Sequence, residues 1–187
     1  MYSYQAIIDR HYPAGTPLRQ ILEHHSRQVA DLAREINRTR HLGLDDGDVE
    51  AAAMLHDIGI FMTDAPGIHC HGTEPYLRHG VLGAELLRAE GTPEWLARVA
   101  ERHTGAGITA AEIAAKHLPL PAGRDLAPET LLEKLICYAD KFYSKSCTMQ
   151  RKSLEHVRAS IQHHFPESAE RFEALHTLFG DVADNHS

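Results

Sequence analysis

Apolar residues recur three, four and seven positions apart along most of the chain, the spacing of one face of a helix. Thr16-Pro17 reads as an N-cap followed by proline at the first helical position. Ile21, Leu22, Val29, Leu32 and Ile36 then mark one side of a long helix that ends around Gly43. A second helix, capped by Asp45 or Asp46, runs through Val49 and Ala53 to about Ile60. Residues 62–76 contain Pro66, Gly67, Gly72 and Pro75 and read as a loop. A third helix covers about 77–90 and stops at Gly91; Thr92-Pro93 opens a fourth, which ends near His103. Thr109 and Glu112 have capping-box spacing ahead of a short helix, and 119–128 is a second loop. Pro128 starts a helix to about Tyr143, two more fill 150–164 and 167–179, and the tail from Asp181 to Ser187 reads as frayed. No segment alternates with period two for long enough to predict a sheet. The expectation is an all-α bundle in one domain, with its core at about 17–145 and a C-terminal helical extension at about 148–180.

Polar residues interrupt these apolar faces at six places. His25 shares a face with Leu22, Val29 and Leu32, and His56 with Val49, Ala52, Ala53 and Ile60. Asp57 lies one step round, His79 lies with Leu82 and Leu86, His103 with Leu96 and Val99, and Asp140 with Leu132, Ile136 and Tyr143. One buried histidine is ordinarily a core residue bonded to a carbonyl. A buried carboxylate needs a cation or a metal. Six such residues on five helices are better explained together. His164 and His176 also fall near apolar positions and receive no role, whereas His24 shares its face with Arg27, Gln28 and Asp31 and reads as solvated.

Composition narrows the chemistry. The chain has 187 residues, a net charge of −7 and 15 histidines, the residue type that most often holds metals. That charge disfavours a nucleic-acid polymer as partner, while leaving room for a small anionic substrate beside a metal. Cys70, Cys137 and Cys147, an odd set without a CxxC pair, predict reduced thiols. No apolar run approaches a membrane span, and Met1-Tyr2-Ser3-Tyr4-Gln5 lacks a signal-peptide pattern, so a cytoplasmic protein without a membrane partner is expected.

Ala53-Met54-Leu55-His56-Asp57-Ile58-Gly59 resembles the defining motif of the HD superfamily in its HDIG form. His25-Ser26-Arg27-Gln28-Val29-Ala30, His79 to Leu87, Glu101-Arg102-His103-Thr104-Gly105 and Tyr138-Ala139-Asp140-Lys141 resemble the family's other motifs in order, over about residues 20–145. The resemblance implies a first metal on His25, His56, Asp57 and Asp140, and a second on His79 and His103, with Asp57 bridging. It implies two divalent transition metals: histidine with carboxylate suits iron or manganese, with zinc, cobalt or nickel also accommodated. Two departures stand out. Ile60 replaces the lysine many HD phosphohydrolases carry, and no Gly-Tyr-Pro follows, which argues against cyclic-di-GMP hydrolysis.

The function implied is a metal-dependent phosphohydrolase acting on an ester or anhydride of a nucleotide or other small metabolite, with Asp57 catalytic and metal-bound hydroxide as nucleophile. HD-type diadenosine tetraphosphate hydrolases have a similar ligand order. Arg78, Lys141 and Lys145 are candidate substrate contacts, as are His69 and His71 in the loop Gly67 to Gly72; a surface loop and a zinc site are the other readings of that loop. The alternatives are a di-iron oxygenase, since relatives of inositol oxygenase share the ligand order, and a non-catalytic regulatory module. A homo-oligomer is compatible with all three.

Overall fold

Capping chemistry sets where most of the helices begin. The computed structural model describes residues 3–145 and 150–184. In chain order the helices are α1 (Tyr4–His11), α2 (Pro17–Thr39), α3 (Asp46–Leu55), α4 (His79–Ala89), α5 (Glu94–Arg102), α6 (Ala110–Ala115), α7 (Leu131–Asp140), α8 (Leu154–His164) and α9 (Ala169–Asp184). The Thr16 hydroxyl accepts from the Arg19 N–H at the head of α2, and Asp45 accepts from Gly47 and Asp48 at the head of α3. Reciprocal capping boxes open α6 (Thr109 with Glu112) and α7 (Thr130 with Glu133). The second box corrects the start expected at Pro128: Thr130 and Glu133 satisfy the free N–H groups, so the helix begins at Leu131.

The helices α2 and α3 lie along one another, as do α4 and α5; α7 packs against α2 and α5, and α9 covers α7 and part of α2. Leu22, Val29, Ile36, Leu55, Ile58, Leu96, Ile136 and Phe142 belong to one continuous buried cluster, so the apolar stripes do meet. Val81, Ile108, Ile113 and Leu126 form a smaller cluster around α6.

Two elements were not legible in the pattern. The helix α1 buries only Ile7 and Ile8, too short a stripe to stand out; its Ser3 cap was the available signal. The loop at 62–76 contains a hairpin of β1 (Asp64–Ala65) and β2 (Cys70–His71), with Asp64 opposite His71 and Ala65 opposite Cys70. Strands of two residues leave no period-two signature. Of the polar positions, His24 is exposed as expected, His164 is also exposed, and His176 is half-buried with its Nδ1 2.9 Å from the Tyr138 hydroxyl. Cys70 and Cys137 are free and buried. Residues 146–149, Cys147 among them, and 185–187 lie outside the described residues; the tail expected to fray from Asp181 is helical as far as Asp184, the end of α9. Among the described residues, no helix is long and apolar enough to cross a membrane.

The helix expected to reach Ile60 stops at Leu55. Beyond it the backbone tightens into i→i−3 bonds, from Ile58 N–H to the Leu55 carbonyl and from Ile60 N–H to that of Asp57. Gly59 then presses against α4: a Cβ there would sit 2.3 Å from the His79 carbonyl oxygen and 2.4 Å from the Gly83 nitrogen. Both neighbours are backbone, so neither can swing away. Gly59→Ala should therefore cost about 1–3 kcal/mol of stability in denaturant unfolding, the range for an overpacked core. Gly67→Ala, where an added Cβ meets nothing within 4 Å, should change stability by less than about 0.5 kcal/mol.

Candidate metal centre

The early stop of α3 places His56 at a helix end, and the same arrangement occurs twice more. His56 Nδ1 lies 2.6 Å from the Ala53 carbonyl oxygen, His79 Nδ1 2.7 Å from that of Tyr76, and His103 Nδ1 2.8 Å from that of Ala100. In each case the ring reaches back three residues. His56 and His103 stand at the C-caps of α3 and α5, where carbonyls lack helical partners. His79 follows a short 3-10 turn over Tyr76–Arg78. A carbonyl can only accept, so Nδ1 carries a proton in all three rings and Nε2 is the nitrogen turned to the interior.

Those Nε2 atoms, with that of His25, converge on Asp57, which is fully buried. One carboxylate oxygen, Oδ2, lies 3.2 Å from His25 Nε2 and 3.1 Å from His56 Nε2. The other, Oδ1, lies 3.5 Å from His79 Nε2 and 3.4 Å from His103 Nε2. Asp140, at the end of α7, brings Oδ1 within 3.0 Å of His25 Nε2 and 3.5 Å of His56 Nε2. The residues thus fall into two groups that could each hold a metal ion: His25, His56, Asp57 and Asp140, and Asp57, His79 and His103. Within each group the candidate ligand atoms lie within 4.8 Å of one another.

The donor set fits metal ions. His79 Nε2 and His103 Nε2 face each other at 3.0 Å with both Nδ1 protons committed to carbonyls, so two lone pairs oppose unless a cation lies between them. Both oxygens of Asp57 and Nε2 of His56 are buried without a well-directed hydrogen bond, an expensive arrangement unless a cation completes it. Lysines partly meet the need: Lys145 Nζ is 2.6 Å from Asp57 Oδ2, and Lys141 Nζ is 2.6 Å from Asp140 Oδ2 and donates to the His103 carbonyl at 2.9 Å.

Electrostatics separates the two groups. Burial opposes charge on His56, but Asp57 and Asp140 outweigh it and lift the ring to about 9. Burial, reinforced by His103, drives His79 down to about 3. Burial raises Asp57, but Lys145 and His56 prevail and hold it well below the usual carboxylate range. Asp140 is likewise held low, burial being outweighed by Lys141 and by its bonds to His25 and His56.

A cavity of about 410 Å³ opens beside the centre and is bordered by Asp140, Lys141, Lys145, Tyr76 and Lys152. A second, of about 260 Å³, reaches His79 and His103. Lys141 and Lys145 therefore stand where substrate contacts were expected. The other three candidates border neither cavity. Arg78 is engaged by Glu74 at 2.6 Å, and His69 and His71 are exposed. The loop reaches the cavity instead through Ala65, Gly67 and Ile68, because the hairpin turns its two histidines outward. It cannot form a zinc site, since the Cys70 side chain points into the core while both neighbours face solvent. Tyr76, Lys152 and Phe165 escaped the sequence reading; for Tyr76 the signal was its position three residues before His79.

The HD domain family model matches residues 22–144, a span that holds all six converging residues. The chain belongs to the HD domain family. It is 35% identical over 134 residues to a tRNA (cytidine(56)-2′-O)-methyltransferase of Picrophilus torridus, covering 72% of this chain and 35% of that protein. A protein of the same name from Thermoplasma volcanium is 31% identical over 180 residues, 95% of this chain and 47% of that one. An uncharacterised protein of Methanocaldococcus jannaschii is 48% identical over 92 residues, 49% of this chain and 46% of that one. The chain thus spans less than half the length of each of these relatives. No solved structure matches it significantly.

Metal ligation requires neutral imidazole. Without metal the His56 ring is protonated below about 9, so a metal must displace that proton. Affinity at the His56 group should therefore rise with pH up to about 9, with close to one proton released per ion near pH 7. The His79 group, already neutral, should release none. Calorimetry in buffers of different ionisation enthalpy reads this directly; affinity that stays constant as pH rises toward 9, with no proton release, would remove His56 from the ligand set.

Proposed function

We propose that this protein is a metal-dependent phosphohydrolase that cleaves a phosphate ester or anhydride of a nucleotide or other small metabolite at a centre of two divalent transition-metal ions, iron or manganese. His25, His56, Asp57 and Asp140 would hold one ion, and His79, His103 and Asp57 the other. The observation that carries this reading is the buried Asp57 carboxylate, which turns one oxygen to each group beside a cavity bordered by lysines. Bound ions supply Lewis acidity toward a phosphoryl oxygen and lower the pKa of water.

The chain's own residues do the rest. Carbonyl-anchored imidazoles keep Nε2 aimed inward without reorganisation. Lys141 and Lys145 provide the cations that bind and orient a phosphate, and Lys145 supplies near Asp57 the charge that the buried Ile60 does not. Tyr76, stacked on His79 with ring centroids 4.7 Å apart, helps hold the plane of that imidazole. Ammonium groups around the opening favour an anionic substrate and give phosphate transfer preference over dioxygen chemistry. The chain spans less than half of either relative named for methyl transfer, and its site gathers imidazoles and carboxylates, which suit metal-assisted hydrolysis. Nucleotides come first among the substrates to screen, because two relatives are named for a tRNA cytidine.

Purified without oxygen, the protein should carry close to two metal ions and release phosphate equally well with and without oxygen. Oxygen-dependent turnover, or two bound metals with no phosphate released from any nucleotide or phosphorylated metabolite, would refute the reading. Asp57→Ala would remove the one residue common to both candidate groups. It should lose at least one ion and about a thousandfold or more in kcat, with helical circular dichroism retained. Asp57→Asn, isosteric but neutral, should be nearly as damaging. Metal content and turnover on the same preparation provide the check.

A further inference from the structure

The family match ends at residue 144, yet the main cavity does not. Its wall continues through Lys152, through Val157, Ser160 and Ile161 on α8, and through Phe165 just beyond. These residues are tied to the core. The Lys152 N–H donates to the Phe142 carbonyl at 2.8 Å, and its Nζ lies 3.3 Å from the Tyr143 carbonyl oxygen. Val157 and Ile161 are buried in the main apolar cluster. Phe165 packs on Gly105, two residues after His103: a Cβ at Gly105 would lie 3.2 Å from the ring. Phe165 also borders both cavities beside the centre.

The cavity therefore has two chemistries. Lys141, Lys145 and Lys152 border it together with the carboxylate of Asp140, and Lys145 also lies 2.6 Å from the buried Asp57. Much of the remaining wall is apolar, formed by Ile68 and by Tyr76, which stacks on His79, on one side and Val157, Ile161 and Phe165 on the other. At about 410 Å³ it stands at the low end of ligand sites, roughly 300–1,000 Å³. A phosphate joined to a ring-sized group fits within that volume.

We propose that α8, with Lys152 and Phe165, is the substrate-selecting wall of the site, and that it selects a phosphoric monoester of a compact, ring-bearing alcohol over polyphosphates and polynucleotides. The inference rests on the phosphate reading above and gives it a substrate class. The phosphate lies among the three lysines, and the ring is held between Ile68 and Tyr76 on one side and Val157, Ile161 and Phe165 on the other. The apolar wall gives nothing to a chain of further phosphates, whose charges would have to be buried there unpaired.

The test uses the metal-loaded full chain and two non-hydrolysable probes, phenylphosphonate and methylphosphonate, which share the anionic head and differ in the ring. Phenylphosphonate should bind about tenfold tighter or more, from burial of the ring. Ser160 is only half-buried, so Ser160→Trp can fill the cavity while sparing the core, and it should bring the ratio of affinities to about one at unchanged metal content and unfolding temperature. His163→Ala, an exposed change on the same helix, should keep the ratio. Equal binding of the two probes by the unaltered protein, a ratio untouched by Ser160→Trp, or tripolyphosphate binding tighter than phenylphosphonate would each overturn the proposal. A tenfold ring preference with no phosphate released from phenyl phosphate or any screened monoester would leave the wall standing and reject the hydrolase reading instead.

Discussion

The structure turns on one buried charge. Asp57 is sealed in the middle of a helical bundle, where an ion loses several kcal/mol of hydration that only close counter-charges can return. Four imidazoles and a lysine ammonium surround its two oxygens within 3.5 Å. They come from α2, from the ends of α3 and α5, from the start of α4 and from the segment after α7. Each of those elements must hold its place for the carboxylate to be tolerated, so the packing of the bundle and the assembly of the centre are one problem.

The bundle solves it largely with its own backbone. Helix ends leave carbonyls free, and His56 and His103 use those carbonyls to fix their rings. A side chain that reaches back onto carbonyl i−3 competes with the next turn of helix, which accounts for α3 stopping before Asp57. The turn that follows needs Gly59 because it lies directly on α4. The same few residues therefore end a helix, set a tautomer and bring two helices into contact.

Around the centre, charge and apolarity are arranged on different length scales. Carboxylates and imidazoles are buried, ammonium groups stand at their edge, and aromatic and aliphatic side chains line the cavity beside them. The edge position lets Lys141 and Lys145 offset the carboxylates without full loss of hydration. It also makes the opening attractive to anions in a chain whose net charge is −7, because local placement, not the total, sets the potential at a site.

The amino-acid sequence alone determined the helical class, most helix starts and the six residues at the centre. Helical periodicity and capping are local properties, and each polar interruption of an apolar stripe could be seen within one helix. It also marked Lys141 and Lys145, through their nearness in sequence to Asp140. Only the tertiary structure decided which oxygen of Asp57 faces which pair of histidines. It alone turned His69 and His71 outward, paired Arg78 with Glu74 and brought Lys152 and Phe165 to the cavity. These facts depend on contacts between distant positions, such as His25 with Asp140 and Gly105 with Phe165. No pattern confined to one helix can encode the direction in which a neighbouring helix presents its side chains.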